Sequence, residues 1–348
     1  MKNSKKSLMH MLGISILLSM SSASFAELVM DASKGTGQAA LNWSSEDVNQ
    51  LLNGDASAEE VSPQGSTKIA TSVRSSNGVV THSAPKTVQI LNNSNYSNQP
   101  SVNARAALVM DGQTGEVLYS KNSNTAFPIA SITKLMTAVV IADSRLNMSE
   151  KITLQQSDFS CSGCKSSSST LRAGDSMNRA EALLFALMKS ENPAAAALAR
   201  TYPGGRAAFV AAMNAKAKSL GMNSTHYMES SGLDPRNVSS ARDLGILVNT
   251  ASQYSLIRQF STTASYDFNL GYRVLKSNNT NALVRNGGWN INISKTGYIN
   301  EAGRCVVMHT TLNNRPAIVV LLGADSSAAR TNDATRLMSW ASQLPKRI

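Results

Sequence analysis

The segment Pro128-Ile-Ala-Ser-Ile-Thr-Lys-Leu-Met-Thr-Ala-Val-Val-Ile-Ala142 constrains the chain more than any other. It is apolar almost all round, so it has no face to give to water and reads as a buried central helix. Other elements have to pack on every side of it, and the flanking sequence supplies them. Ala106–Met110 and Glu116–Tyr119 flank Asp111-Gly-Gln-Thr-Gly115, a hairpin pattern with glycine where φ can be positive. Near the C-terminus Asn290–Lys295, Cys305–Leu312 and Ala317–Gly323 read as three more strands, and Ala328–Gln343 as a closing helix. In between, Asn178 and Glu181 make a capping box ahead of Ala182–Lys189. Pro193 suits the first turn of a helix after Asn192, and Ala207–Leu220 is a helix stopped by Gly221. Ser240 and Asp243 repeat the capping pattern before Leu244–Thr250. Two strands, then helices, then three strands and a helix predict an α/β domain. Its antiparallel five-stranded sheet carries helices on both faces, plus a helical lobe between the two sheet halves.

The residues before this domain read differently. Met-Lys-Asn-Ser-Lys-Lys, the apolar run Leu8–Met20 and the small-residue end Ser24-Phe-Ala26 form a secretory signal peptide over residues 1–26. The run is too short for a membrane span, which needs ~20 apolar residues. Residues 27–102 are rich in Ser, Asn, Gln and Thr and poor in aromatics, and read as a flexible spacer. One short helix is expected there over Glu46–Leu52, with Ser45 as its N-cap. The folded domain then spans residues 103–348.

Three patterns carry chemistry. Ser131 and Lys134 are neighbours on one helix face, so an amine lies beside a hydroxyl with no help from tertiary structure. A serine needs a base to become a nucleophile, and burial in an apolar helix depresses a lysine enough to serve. The plainer role for Ser131 is a helix N-cap. Ser-x-x-Lys also occurs at Ser83/Lys86 and Ser162/Lys165, but neither pair lies in a buried helix. Ser190-Glu-Asn192, between two helices, offers a hydroxyl for proton relay and an amide for a peptide carbonyl; helix capping by Asn192 is the plainer reading. Lys295-Thr-Gly297, ending a strand, offers a cation and a donor to a carboxylate, with a glycine that lets another backbone approach.

In this order, on helix, loop and strand, the trio resembles the penicillin-recognising serine enzymes. The likeness extends to Ala130–Met136, Tyr202-Pro-Gly-Gly205, Met213–Met222, Asn237–Asp243 and Trp289–Gly297, which look like the D-alanyl-D-alanine endopeptidases. These are small penicillin-binding proteins of the S11 peptidase family, with a β-lactamase/transpeptidase-like fold. The resemblance runs from about Ala104 onward and implies a periplasmic serine DD-endopeptidase cutting D-alanyl–diaminopimelate cross-links of peptidoglycan. It implies that Ser131 forms an acyl-enzyme, Lys134 takes its proton, Ser190 relays a proton to the leaving amine and Asn192 positions the peptide. Lys295, Thr296 and Gly297 would receive the carboxylate side of the substrate, and the backbone N–H groups of Ser131 and Tyr298 would form an oxyanion hole. β-Lactams are expected to acylate Ser131 and to leave slowly. Two strands and a helix after Gly297 favour the short endopeptidase form over the D-Ala-D-Ala carboxypeptidases, which remain the alternative together with a non-catalytic wall-binding or penicillin-sensing module.

Composition bears on partners. A formal net charge of +11, of which Lys2, Lys5 and Lys6 would leave with the signal, permits a weak peripheral hold on anionic wall or membrane surfaces. Nucleic acid is not expected, since no Lys/Arg run interleaved with aromatics occurs. The four histidines, His10, His82, His226 and His309, form no metal-binding pattern, so neither metal nor cofactor is expected. Cys161-Ser-Gly-Cys164 lies in a serine-rich loop and reads as a local disulfide or two idle thiols; Cys305 reads as a small core residue. The chain is expected to act as a monomer.

Overall fold

A computed structural model describes residues 96–345. The expected signal peptide, the spacer through residue 95 and the helix at Glu46–Leu52 lie outside the described residues.

Strands β1 (Ala106–Asp111) and β2 (Val117–Lys121) form the expected hairpin. Its turn closes when Asp111 Oδ1 accepts the N–H groups of Gln113 and Thr114 (2.8 and 2.9 Å), with Gly115 at a φ of +77°. A short β3 (Ala126–Pro128) leads into a 3₁₀ turn (Ala130–Ile132) and then α1 (Thr133–Ser144), whose residues Thr133–Ala142 are all buried. The helix expected from Pro128 onward therefore starts later. Pro128 is held in a strand, and the Ile129 N–H donates to Asn237 O (3.1 Å) instead of entering the helix.

Small elements missed in the sequence follow: β4 (Lys151–Thr153) pairs with β5 (Ser176–Asn178). α2 (Arg179–Leu184) has the expected capping box, with Asn178 Oδ1 accepting from Glu181 N (2.7 Å) and Glu181 accepting from Asn178 N (2.9 Å). It passes into a π turn (Phe185–Lys189), then α3 (Asn192–Arg200) and α4 (Gly205–Ser219). β6 (Val238–Ser240) pairs back on β3 and leads into α5 (Ala241–Ala251), capped by the Ser240 hydroxyl. After α6 (Ser255–Thr262) comes a third pair absent from the sequence reading, after β4–β5 and β3–β6: the hairpin β7 (Ser265–Asn269) and β8 (Val274–Asn278), followed by a short α7 (Ala282–Asn286). β9 (Asn290–Ile299), β10 (Gly303–Leu312), β11 (Arg315–Ala324) and α8 (Ser327–Ser342) complete the domain.

The main sheet runs β2-β1-β11-β10-β9, antiparallel throughout, as expected. Period-2 alternation divides its apolar residues. Ala106, Leu108, Met110, Ile318, Val320 and Leu322 join one core with α1 and α5, whereas Ala107, Val109, Val319 and Leu321 join the other under α8. Tyr96–Val102, the end of the span read as spacer, lies on that second face. Tyr96 meets Trp340 edge-on (centroids 6.2 Å), Val102 is buried, and Arg336 donates to Ser101 O (2.6 Å).

Candidate active site

Ser131 sits in the 3₁₀ turn at the mouth of α1 and is half-buried. It does not cap the helix, because the N-cap is Ile132, without a side-chain bond. Its Oγ instead lies 2.8 Å from Lys134 Nζ. Lys134 is 0% exposed and also donates to Asn192 Oδ1 and to the Ser231 carbonyl, each at 2.6 Å. Burial removes water from the ammonium and pulls its pKa down to about 7, against the pull of Glu229 and Glu191, whose charges favour the cation.

Ser190 ends the π turn in a left-handed conformation, with a φ of +65°. Glu191 rather than Asn192 is the N-cap of α3, and Pro193 occupies its first turn as expected. The Asn192 side chain is thus free of capping and bridges Lys134 to Ser167 Oγ, to which its Nδ2 donates (2.8 Å). Lys295, 1% exposed, donates to Ser190 Oγ and to its neighbour's carbonyl, Thr296 O, each at 2.8 Å. Burial first, then the charges of Lys134 and Arg330, hold its pKa well below the usual lysine range. The Thr296 hydroxyl donates to Thr280 Oγ1 (2.6 Å).

At Gly297, β9 reaches the 3₁₀ turn that carries Ser131. A Cβ there would lie 3.0 Å from both Ser131 N and Ile129 O, so this residue type permits the approach. Tyr298 follows, with its side chain 46% exposed and the Arg304 guanidinium stacked over the ring. Ser131, Lys134 and Asn192 are thus linked by hydrogen bonds, as are Ser190 and Lys295, and Gly297 brings the strand that carries Lys295, Thr296 and Tyr298 against the Ser131 turn.

Other residues that build the cleft escaped the sequence reading. Glu229 accepts the backbone N–H groups of Ser231 and Gly232, each at 2.5 Å, and the side-chain amide of Asn237 (3.0 Å). These bonds hold the Ser231 carbonyl where Lys134 meets it. Gly232, with a φ of +86°, presses on Ala130, whose carbonyl a Cβ would strike. Asn237 had surfaced within a stretch of resemblance, but without a role; a carboxylate folded back on its own loop leaves no motif. A cavity of about 260 Å³ continues beyond Asn192 and Ser231, walled by Phe159, Arg206, Met228 and Leu233.

This sheet order and helical lobe define the transpeptidase-like fold of the penicillin-binding proteins. The Streptomyces K15 DD-transpeptidase crystal structure matches it with a TM-score of 0.65 at 31% identity, over 71% of this chain and 100% of that one. A D-alanyl-D-alanine endopeptidase of Pseudomonas aeruginosa is 48% identical over 242 residues, covering 68% of this chain and 76% of that protein. One from Escherichia coli K12 is 44% identical over 259 residues, 74% and 83% of the two chains. The profile of the S11 peptidase family, described as D-alanyl-D-alanine carboxypeptidase, matches residues 93–326. The chain belongs to the S11 peptidase family.

Proposed function

We propose that this protein is a periplasmic serine DD-endopeptidase that hydrolyses D-alanyl–diaminopimelate cross-links in peptidoglycan. The observation that carries the reading is the fully buried Lys134 amine 2.8 Å from the Ser131 hydroxyl. A neutral amine has two N–H bonds and one lone pair. Asn192 Oδ1 and Ser231 O take the two N–H bonds, which leaves the lone pair for the hydroxyl proton of Ser131. With a pKa of about 7 that neutral form is well populated at neutral pH.

In the proposed cycle Ser131 Oγ attacks the D-Ala carbonyl as its proton passes to Lys134. The resulting oxyanion lies between the backbone N–H groups of Ser131 and Tyr298, which Gly297 allows to converge. The proton then moves through the Ser190 hydroxyl to the leaving amine. Lys295 and Thr296 hold the carboxylate beside the scissile bond, and Asn192 steadies the acyl-side peptide. Water attacks the acyl-enzyme by the reverse path. A β-lactam acylates Ser131 by the same route and is a covalent inhibitor.

Residues 1–26 act as the export signal, 27–95 as a spacer and 96–348, with Tyr96–Val102 packed on its second face, as the catalytic domain, working as a monomer with at most a weak electrostatic hold on the membrane. No helix among the described residues is long and apolar enough to cross a membrane. The names of the Pseudomonas and Escherichia relatives support endopeptidase over carboxypeptidase activity.

Two experiments test the reading. Purified protein is expected to label covalently with a fluorescent penicillin, and Ser131→Ala to remain unlabelled; equal labelling of both refutes the nucleophile. Digestion of cross-linked muropeptide dimers is expected to release monomers. Loss of terminal D-Ala from pentapeptide, with dimers left intact, would make the protein a carboxypeptidase instead.

A further inference from the structure

Between residues 159 and 175 the chain carries no helix or strand, yet it touches the cleft repeatedly. Cys161 and Cys164 are joined by a disulfide across a turn in which Cys164 N–H donates to Cys161 O (3.2 Å). Just beyond it, Lys165 N–H donates to Leu233 O (3.0 Å), and Ser167 Oγ accepts from Asn192 Nδ2 (2.8 Å). The hydroxyls of Ser169 and Thr170 donate to the Glu191 carboxylate (2.6 and 2.5 Å). The two sulfurs lie within 4.8 Å of the Glu229 carboxylate, which fixes the Ser231 loop, and Cys161 lines the cavity beside Asn192.

The nucleophile depends on the amide of Asn192 presenting its oxygen to Lys134. The far end of that amide is anchored by a single side-chain partner, so losing the bond frees the side chain to turn away from the lysine. Here that partner is Ser167, an exposed hydroxyl on an irregular loop where water competes for the same bond. Ser167 stays in place because the loop is pinned, and the disulfide removes conformational freedom beside it. Both cysteines are half-buried and therefore reachable by a small thiol.

We propose that the Cys161–Cys164 disulfide is a thiol-exchange site controlling acylation: closed, it holds Ser167 as a positioning residue on Asn192; opened, it releases that contact. Opening needs a dithiol reductant. One of its thiolates attacks a cysteine sulfur and breaks the S–S bond, and its second thiol resolves the mixed disulfide. Cys161 and Cys164 end as thiols, having gained two electrons and two protons, and the reductant ends as its own disulfide. The proposal rests on Ser131 being the nucleophile.

The test measures fluorescent-penicillin acylation rates of the full chain, oxidised or treated with dithiothreitol, with alkylation showing that both cysteines have opened. Reduction is expected to slow the wild type about three- to tenfold, the worth of one neutral hydrogen bond, and reoxidation to restore it. The double variant Cys161→Ser/Cys164→Ser is expected to acylate at the reduced rate whatever the treatment. Ser167→Ala is expected to be slow in both states and Ser167→Thr to recover. A pH profile separates positioning from general loosening. Losing an acceptor at Lys134 Nζ favours the neutral amine, so the acid limb moves to lower pH in reduced enzyme and in Ser167→Ala, while Glu191, Glu229 and Lys295 still face the lysine. Equal rates and unshifted profiles in the two redox states overturn the proposal. Failure of the oxidised wild type to label at all would instead overturn the assignment of Ser131.

Discussion

Lys134 and Lys295 are both stripped of water, but their surroundings divide the labour between them. Lys134 keeps two carbonyl-type acceptors and a hydroxyl and has Glu191 and Glu229 nearby, so its pKa settles at about 7. Lys295 meets one hydroxyl and one carbonyl and is pushed further by Lys134 and Arg330. The protonated form of Lys134 cannot accept the serine proton, so acylation is expected to fall about tenfold per pH unit below its pKa. A stopped-flow pH profile with a chromogenic cephalosporin checks this; a flat rate from pH 5 to 8 would remove Lys134 as the base. Lys134→Arg, which cannot shed its proton, is expected to lose acylation by about 10²–10⁴-fold, measured by penicillin labelling. Lys295 offers a complementary sign. An arriving carboxylate supplies the counter-charge it lacks, so ligand binding is expected to take up a proton, read by calorimetry in buffers of different ionisation enthalpy.

At the scale of elements, the site forms where β9 meets the 3₁₀ turn ahead of α1, and Gly297 is the point of contact. Gly297→Ala would push a methyl against two fixed backbone atoms 3.0 Å away. It is expected to slow acylation roughly ten- to a hundredfold, and thermal melts are expected to show about 1–3 kcal/mol of lost stability. An Ala variant as fast as wild type would mean that the strand can retreat without harm. The three motifs were legible because each joins chemistry to a local signal: an apolar helix start, a turn before a proline and a strand end. What surrounds them was not. Ser190 points at Lys295 because the π turn closes with Ser190 N–H on Phe185 O, the Glu191 N–H joins the same carbonyl (3.1 Å) and Ser190 is left-handed, and a π turn has no pattern distinct from an α-helix in Phe-Ala-Leu-Met-Lys. The β7–β8 hairpin was hidden because only one arm shows the strand period: Tyr266 and Phe268 alternate with polar residues in β7, whereas Val-Leu-Lys-Ser-Asn278 in β8 does not alternate.

For the whole molecule, the five-stranded antiparallel sheet followed from counting elements, two N-terminal and three C-terminal strands, whereas its order, with β11 beside β1, comes from the structure. The place where the domain takes hold of the chain was less legible. Tyr96, in a polar stretch, joins the fold through Trp340 on α8, far away in sequence, and through its hydroxyl, which donates to Glu116 (3.1 Å). That edge-on pair is expected to contribute about 0.5–1.5 kcal/mol beyond area burial, obtained from a double-mutant cycle of Tyr96→Ala and Trp340→Ala by urea unfolding. Additive losses would show that the aromatic contact contributes nothing of its own. The same contact has a consequence for how the enzyme is carried. The chain joins the domain behind the sheet, across from the layer that holds α1 and the serine. An upstream leash fastened at that point would pull on the rear of the molecule, so restraint from it need not compete with a bulky polymer arriving at the front.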